Sequence, residues 1–207
     1  MISVHMTPVP SSTVVAYRDD GPLSRGMGVL VAGQLPPLPP LIAGTFVSAV
    51  LLVIGVAGSD GLAVFAPAVT LLLAGPGSSH PHDGRLDWLV PPILRITEYV
   101  FIAAVGFAHD LPPALIFLLL GAMAFHHYDL VYRLRQRVYP PAWLATFGLG
   151  WDGRMLAVAL AVIAGQVAWG FAILSVYLWG LFGWESVTCW LAVPRSGMEA
   201  TDLETQD

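Results

Sequence analysis

The chain has 207 residues, of which 56% are hydrophobic and only 11% charged; its formal charge is −5 and its mean hydropathy +0.71. A soluble domain carries about 25% charged residues, so the composition excludes one and indicates an integral membrane protein. No basic stripe points to nucleic acid, and the single Cys189 excludes an internal disulfide or a cysteine-ligated cluster.

Residues 1–40 read as a polar, Pro-rich cytoplasmic lead-in without the pattern of a signal peptide. Its first part reads as disordered. A short surface helix is expected from Leu23 to Leu35, ended by the Pro cluster. Ahead of that helix, "YRDDG" sets Asp19 beside Asp20. Adjacent carboxylates can place Mg²⁺ if a metal is used, and Asp-Gly is equally a plain turn signal.

Leu41 to Gly58 is the first span, and "GSDG" turns the chain into a shorter second one, Leu62 to Gly75, containing Pro67. In the following loop, "SSHPHDG", His80, His82 and Asp83 are at best a weak metal chelate. The third span, Trp88 to Ala108, carries Arg95 and Glu98 inside it. Such groups cost about 3 kcal/mol each on insertion, so they pair with one another, as i, i+3 spacing allows, or mark a functional path. "HDLPP" leads to the fourth span, Leu111 to Phe125.

The densest chemistry follows, in "AFHHYDLVYRLRQR" at 124–137. Continued as helix, His126, Asp129, Arg133 and Arg137 share one stripe, with Tyr128, Tyr132 and Arg135 on its neighbour. A His–carboxylate pair one turn apart suits proton transfer, and clustered guanidiniums suit phosphate. The plainer reading is an Arg–Tyr anchor at the inner interface. In "WDGR", Asp152 reads as a helix N-cap, while Arg154 opposes the helix dipole and so calls for an anionic partner or ligand.

Met155 to Trp184 is long for one span and short for two; it reads as one tilted helix followed by an interfacial piece, "ESVTCWLAV". Gln166 is then a lone polar group near its middle. The expected fold is an all-α polytopic bundle of five spans, six being the alternative, over residues 41–193, with an acidic disordered tail at 194–207. With the N-terminus inside, Arg18, Arg25, Arg85, Arg133, Arg135, Arg137 and Arg154 face the cytoplasm, and of the loop arginines only Arg195 lies outside. The polar clusters then fall on one membrane face, near the half of the third span that holds Arg95 and Glu98.

At "YRDDGPLSR…GQLPPLPP", "HHYDLVYRLR" and "WDGR" the chain resembles an uncharacterised actinobacterial membrane domain. That domain often lies fused behind nucleotidyltransferase-like and CDP-alcohol phosphotransferase-like modules. The resemblance implies a multi-pass protein of a bacterial plasma membrane, and phospholipid-headgroup or inositol-type metabolism by association. The chain is not itself a CDP-alcohol phosphotransferase: "DGRMLAVALAVIAGQVAWG" starts like that family's signature but has none of its later Asp residues.

The leading expectation is an enzyme or enzyme subunit acting on a lipid or prenyl phosphate at the cytoplasmic interface. Glu98, His126 and Asp129 are its acid–base candidates. Arg95, Tyr132, Arg133, Arg135 and Arg154 would bind substrate, and Asp19 and Asp20 would hold Mg²⁺. The alternative is a non-catalytic module that anchors or assembles with a CDP-alcohol phosphotransferase-like partner. A transporter comes third, and would need a homo-oligomer.

Overall fold

The structure is a computed structural model, and it describes residues 11–58 and 61–192. The described residues form an all-α polytopic bundle with six helical segments long and apolar enough to cross a membrane.

Two short helices, α1 (Ser11–Arg18) and α2 (Pro22–Val31), precede the bundle. The first replaces the disorder expected there, while residues 1–10 lie outside the described residues. The surface helix does form but ends at Val31, where Ala32 turns left-handed ahead of the prolines. It exposes Leu23, Val29 and Leu30 along one side, as an interfacial helix does.

The first span is α3 (Leu38–Ala57); Pro39 and Pro40 sit in its first turn, where their missing N–H groups cost nothing. The second joins a 3₁₀ turn at Leu62–Phe65, α4 (Ala66–Ala74) and a second 3₁₀ stretch at Gly75–Ser79, which makes it longer than the apolar run indicates. The third and fourth are α5 (Val90–Ala108) and α6 (Pro113–Arg135). Helix α6 carries the stretch as helix through Arg135, so His126, Asp129 and Arg133 share a stripe, while Arg137 lies past its end with φ +61.

After a short α7 (Leu144–Phe147), the run read as one tilted span is two helices, α8 (Gly150–Ile163) and α9 (Val167–Ala192). The chain reverses at 164–166, with Gly165 at φ +65. Six spans therefore replace five, Gln166 is an exposed turn residue, and "ESVTCWLA" continues α9 instead of lying at the interface. An even number of spans also brings the chain back after α9 to the end where it began; Arg195 lies outside the described residues.

Helices α5 and α8 form the middle of the bundle, with α3 and α4 packed on one side and α6 and α9 on the other. The core runs through Phe101, Ile102, Ile116, Met123, Met155, Val158, Phe171 and Phe182. The corner between α1 and α2 sits on the end of this bundle, against α5, α6 and α8.

That contact is backbone to backbone. Gly150 has φ +59, and a Cβ there would overlap Gly21 and the Asp19 carbonyl; the Trp151 amide donates to that carbonyl at 3.1 Å. Asp152 lies inside α8 and does not cap it. Its carboxylate instead accepts the amides of Gly21, Leu23 and Ser24 at 2.6, 3.1 and 3.0 Å, capping α2 from across the chain. Hydrogen bonds to a charged group contribute about 1.5–3 kcal/mol each and are not additive. Asp152→Ala is expected to lower stability by about 3 kcal/mol on that scale and to release the α1–α2 segment. Thermal unfolding and protease cleavage within residues 11–36 of nanodisc-held protein check this.

Candidate functional site

Three buried polar networks occupy the end of the bundle under the α1–α2 corner. The first is built on Asp19, which closes α1 with φ +53, a left-handed conformation that Asp tolerates better than most residues. One carboxylate oxygen lies 3.4 Å from Nε2 of His126; the other lies 3.2 Å from Nε2 of His127 and 2.7 Å from Nη2 of Arg154. The Arg154 guanidinium is fully buried. It also donates to both Glu98 oxygens, at 2.6 and 3.2 Å, and to the Gly148 carbonyl at 3.2 Å.

An ionised carboxylate only accepts, so Asp19 sets the tautomers: both imidazoles present a protonated Nε2 to it. Nδ1 of His127 is then an acceptor, and the Tyr99 hydroxyl donates to it at 2.7 Å. Nδ1 of His126 has no hydrogen-bond partner among the described residues, while its ring stacks on Phe182 with centroids 4.0 Å apart. His126 and Asp19 both line a cavity of about 220 Å³. Leu130, Pro140, Pro141 and Leu144 give it apolar walls, and Arg25 stands at its edge. A carboxylate-oriented imidazole whose second nitrogen is free beside a cavity has the arrangement of a general base.

Burial on its own would raise the Asp19 carboxyl, but Arg154 and His126 outweigh it and hold the group well below the ordinary value of 3.8.

The second network surrounds Asp20. Arg18 donates to its oxygens at 2.6 and 3.2 Å, the Ser24 hydroxyl at 2.9 Å and the Trp151 indole at 2.8 Å. Asp19 and Asp20 thus turn to different partners, and among the described residues no three His, Cys, Asp or Glu side chains are grouped to hold a metal ion. The third joins α6 to α9: Arg133 is bidentate to Glu185 at 2.5 and 2.6 Å and meets Asp129 at 2.7 Å. The Trp190 indole donates to Asp129 at 3.1 Å.

Of the residues proposed from sequence, His126, Asp19, Glu98 and Arg154 come together. Asp129 and Arg133 belong to the α6–α9 clamp. Arg95 does not pair with Glu98; it donates to the Tyr17 carbonyl at 3.1 Å and lies over the Tyr17 ring. Tyr132 and Arg135 point outward, Tyr132 against Tyr128 and Trp190. Sequence reasoning missed Arg18, Arg25, Tyr99, His127 as a ligand of Asp19, and Glu185. Glu185 had a visible signal: it is a lone carboxylate in an apolar run, and such a charge demands a partner.

A family model described as a family of unknown function, DUF5941, matches residues 11–205. The chain belongs to that family. No curated protein and no solved structure matches it.

Two outcomes follow from the pairings. Arg133→Met leaves Asp129 and Glu185 facing each other without their cation, and is expected to cost about 3–5 kcal/mol, the range for breaking a buried pair; Arg135→Met, at an exposed position, should cost under about 0.5 kcal/mol. Thermal unfolding in detergent separates them. Because the Asp19 carboxyl is depressed on folding, its stabilising contribution is complete above its ordinary value of 3.8 and is lost as pH falls through the folded value below it. Asp19→Asn is expected to flatten that acid limb of the stability profile.

Proposed function

We propose that this DUF5941 protein is a membrane-embedded enzyme, or the membrane subunit of one, that acts on a phosphorylated lipid or prenyl substrate at the cytoplasmic face of a bacterial plasma membrane. The observation that carries this reading is the cavity lined by His126 and Asp19. In it His126 is the general base: Asp19 holds Nε2–H, and Nδ1 takes a proton from a hydroxyl or water as its oxygen attacks the substrate phosphorus. The bond from phosphorus to the leaving oxygen breaks, and the imidazolium returns the proton to that oxygen. Asp19 stabilises the imidazolium, with Arg154 and Glu98 fixing the carboxylate from behind. The apolar wall at Leu130, Pro140, Pro141 and Leu144 suits a lipid chain and limits water. Arg25 is the cation a phosphate would meet, since Arg154 and Arg133 are already committed to internal carboxylates.

The cytoplasmic assignment rests on Arg placement. Arg18, Arg25, Arg85, Arg133, Arg135, Arg137 and Arg154 gather at one end of six spans, and the turns at the other end have none.

One observation favours the second reading, a non-catalytic module assembled with a CDP-alcohol phosphotransferase-like partner. Tyr128 and Tyr132 stack on an exposed face of α6, with centroids 6.4 Å apart. The same preparation tests both. Gently extracted protein is incubated with a membrane lipid extract, and mass spectrometry follows the phosphorylated lipids. If His126 is the base, His126→Gln lowers turnover by about 10²–10⁴-fold, the usual worth of a general base, with unfolding temperature unchanged. If the protein is an assembly module, His126→Gln changes nothing, whereas Tyr128→Ala with Tyr132→Ala abolishes co-purification of the partner.

A further inference from the structure

The α1–α2 corner separates two cavities. Val15 and Arg25 line both, while Asp19 faces the first and Asp20 the second. The second is a groove of about 650 Å³ between α2 and the Gly75–Ser79 stretch with the loop after it. We propose that this groove is a binding site for a phosphate group, with Arg25, Ser79, His80 and His82 as its contacts.

His82 supplies the first argument. It is 3% exposed and lines the groove, with its Nε2 3.3 Å from Nη1 of Arg18. A guanidinium only donates, so Nε2 must be the lone-pair nitrogen and Nδ1 must carry the proton. That buried Nδ1–H makes no well-formed hydrogen bond among the described residues; the His80 backbone offers it at most a poorly aligned contact. An orphaned buried donor costs about 1–3 kcal/mol, and an anionic oxygen is the acceptor that relieves it. Burial and Arg18 both push His82 below its ordinary value, which keeps the ring neutral and this tautomer in place.

Charge is the second argument. Arg25, exposed at the groove, is its cation; the Arg18 guanidinium beneath His82 is paired with Asp20. The carboxylate on this side, Asp20, is spent on Arg18, Ser24 and Trp151, and Asp87 accepts the Gly84 amide. His80 turns Nδ1 to the Pro81 carbonyl at 2.6 Å, leaving Nε2 for a phosphate hydroxyl. The groove holds more donors than free acceptors, which suits phosphate and disfavours a cation.

Depth in the membrane bears on the source. Val29 lines the groove, and it and Leu30 are among the exposed apolar residues of α2, so the groove sits at headgroup level. A lipid phosphate and a free phosphate would make the same contacts, and the test separates them. The link to the His126 cavity through Arg25 rests on the function proposed above; the groove itself does not.

Protein in phosphatidylcholine nanodiscs is titrated with dihexanoyl phosphatidic acid and, separately, with inorganic phosphate, and binding is read as saturable thermal stabilisation. Wild type is expected to bind the phosphatidic acid, and Arg25→Gln and His80→Ala each to weaken it about tenfold, one charge-assisted contact's worth. Binding of phosphatidic acid alone identifies a lipid headgroup site; equal binding of inorganic phosphate identifies a free-phosphate site. No saturable stabilisation by either probe, or full binding retained in His80→Ala, overturns the proposal; loss in Arg25→Gln alone places the phosphate in the His126 cavity instead. His82→Phe tests the orphan donor, and the two surface variants keep the test decisive should it not fold. His126→Gln should leave binding intact, so loss of the groove and loss of the catalytic reading are told apart.

Discussion

The structure turns on one guanidinium. Arg154, fully buried in α8, binds Glu98 of α5 on one side and Asp19 of the α1–α2 corner on the other. Removing such a cation from water costs several kcal/mol, and only close, saturating partners offset that cost. Two carboxylates and the Gly148 carbonyl supply them. The consequence is architectural: a lead-in that reads as a polar, Pro-rich segment with a surface helix is held against the end of the bundle, because one of the buried charges needs it. Asp19 accepts a left-handed backbone in that position, and His126 and His127 complete its hydrogen bonds.

The membrane spans were legible in the sequence because apolar length is a one-dimensional property. Their number was less so. The reversal at 164–166 has no proline and no charge, and Gly165 with Gln166 resembles the small and polar residues that transmembrane helices tolerate. Charge pairing was the least legible. Spacing of i, i+3 suggested His126 with Asp129 and Arg95 with Glu98, yet Asp19 takes His126 and Arg154 takes Glu98. Neighbouring side chains on one helix gain a few tenths of a kcal/mol from pairing, whereas leaving a buried charge without saturating partners costs several. Tertiary geometry therefore decides. In the fold Arg18, Arg133 and Arg154 are matched by Asp20, Glu185 and Glu98, each from another part of the chain or across a turn.

Helix α6 shows why border and site looked alike in sequence. Tyr128, Tyr132 and Arg135 face outward, as residues of an interfacial anchor do. His126, His127, Asp129 and Arg133 are buried on the other side of the same turns. The helix period sorts the two sets, so a single stretch of fourteen residues carries an anchor and an interior network at once.

Within that interior the groups are unequal. Arg154, Glu98 and Asp20 are saturated by partners, Arg133 is held by two carboxylates, and all four hold elements together; a closed ion pair is a poor reagent, because engaging a substrate means first breaking it. His126 is different. One nitrogen is fixed by Asp19, its ring is held flat against Phe182, and the other nitrogen is left beside a cavity. Orientation held by neighbours costs nothing at the moment of reaction, which is the advantage of a preorganised base over a mobile one. In the proposed mechanism the ion pairs around His126 would serve by being inert: they fix a side chain whose second nitrogen remains open.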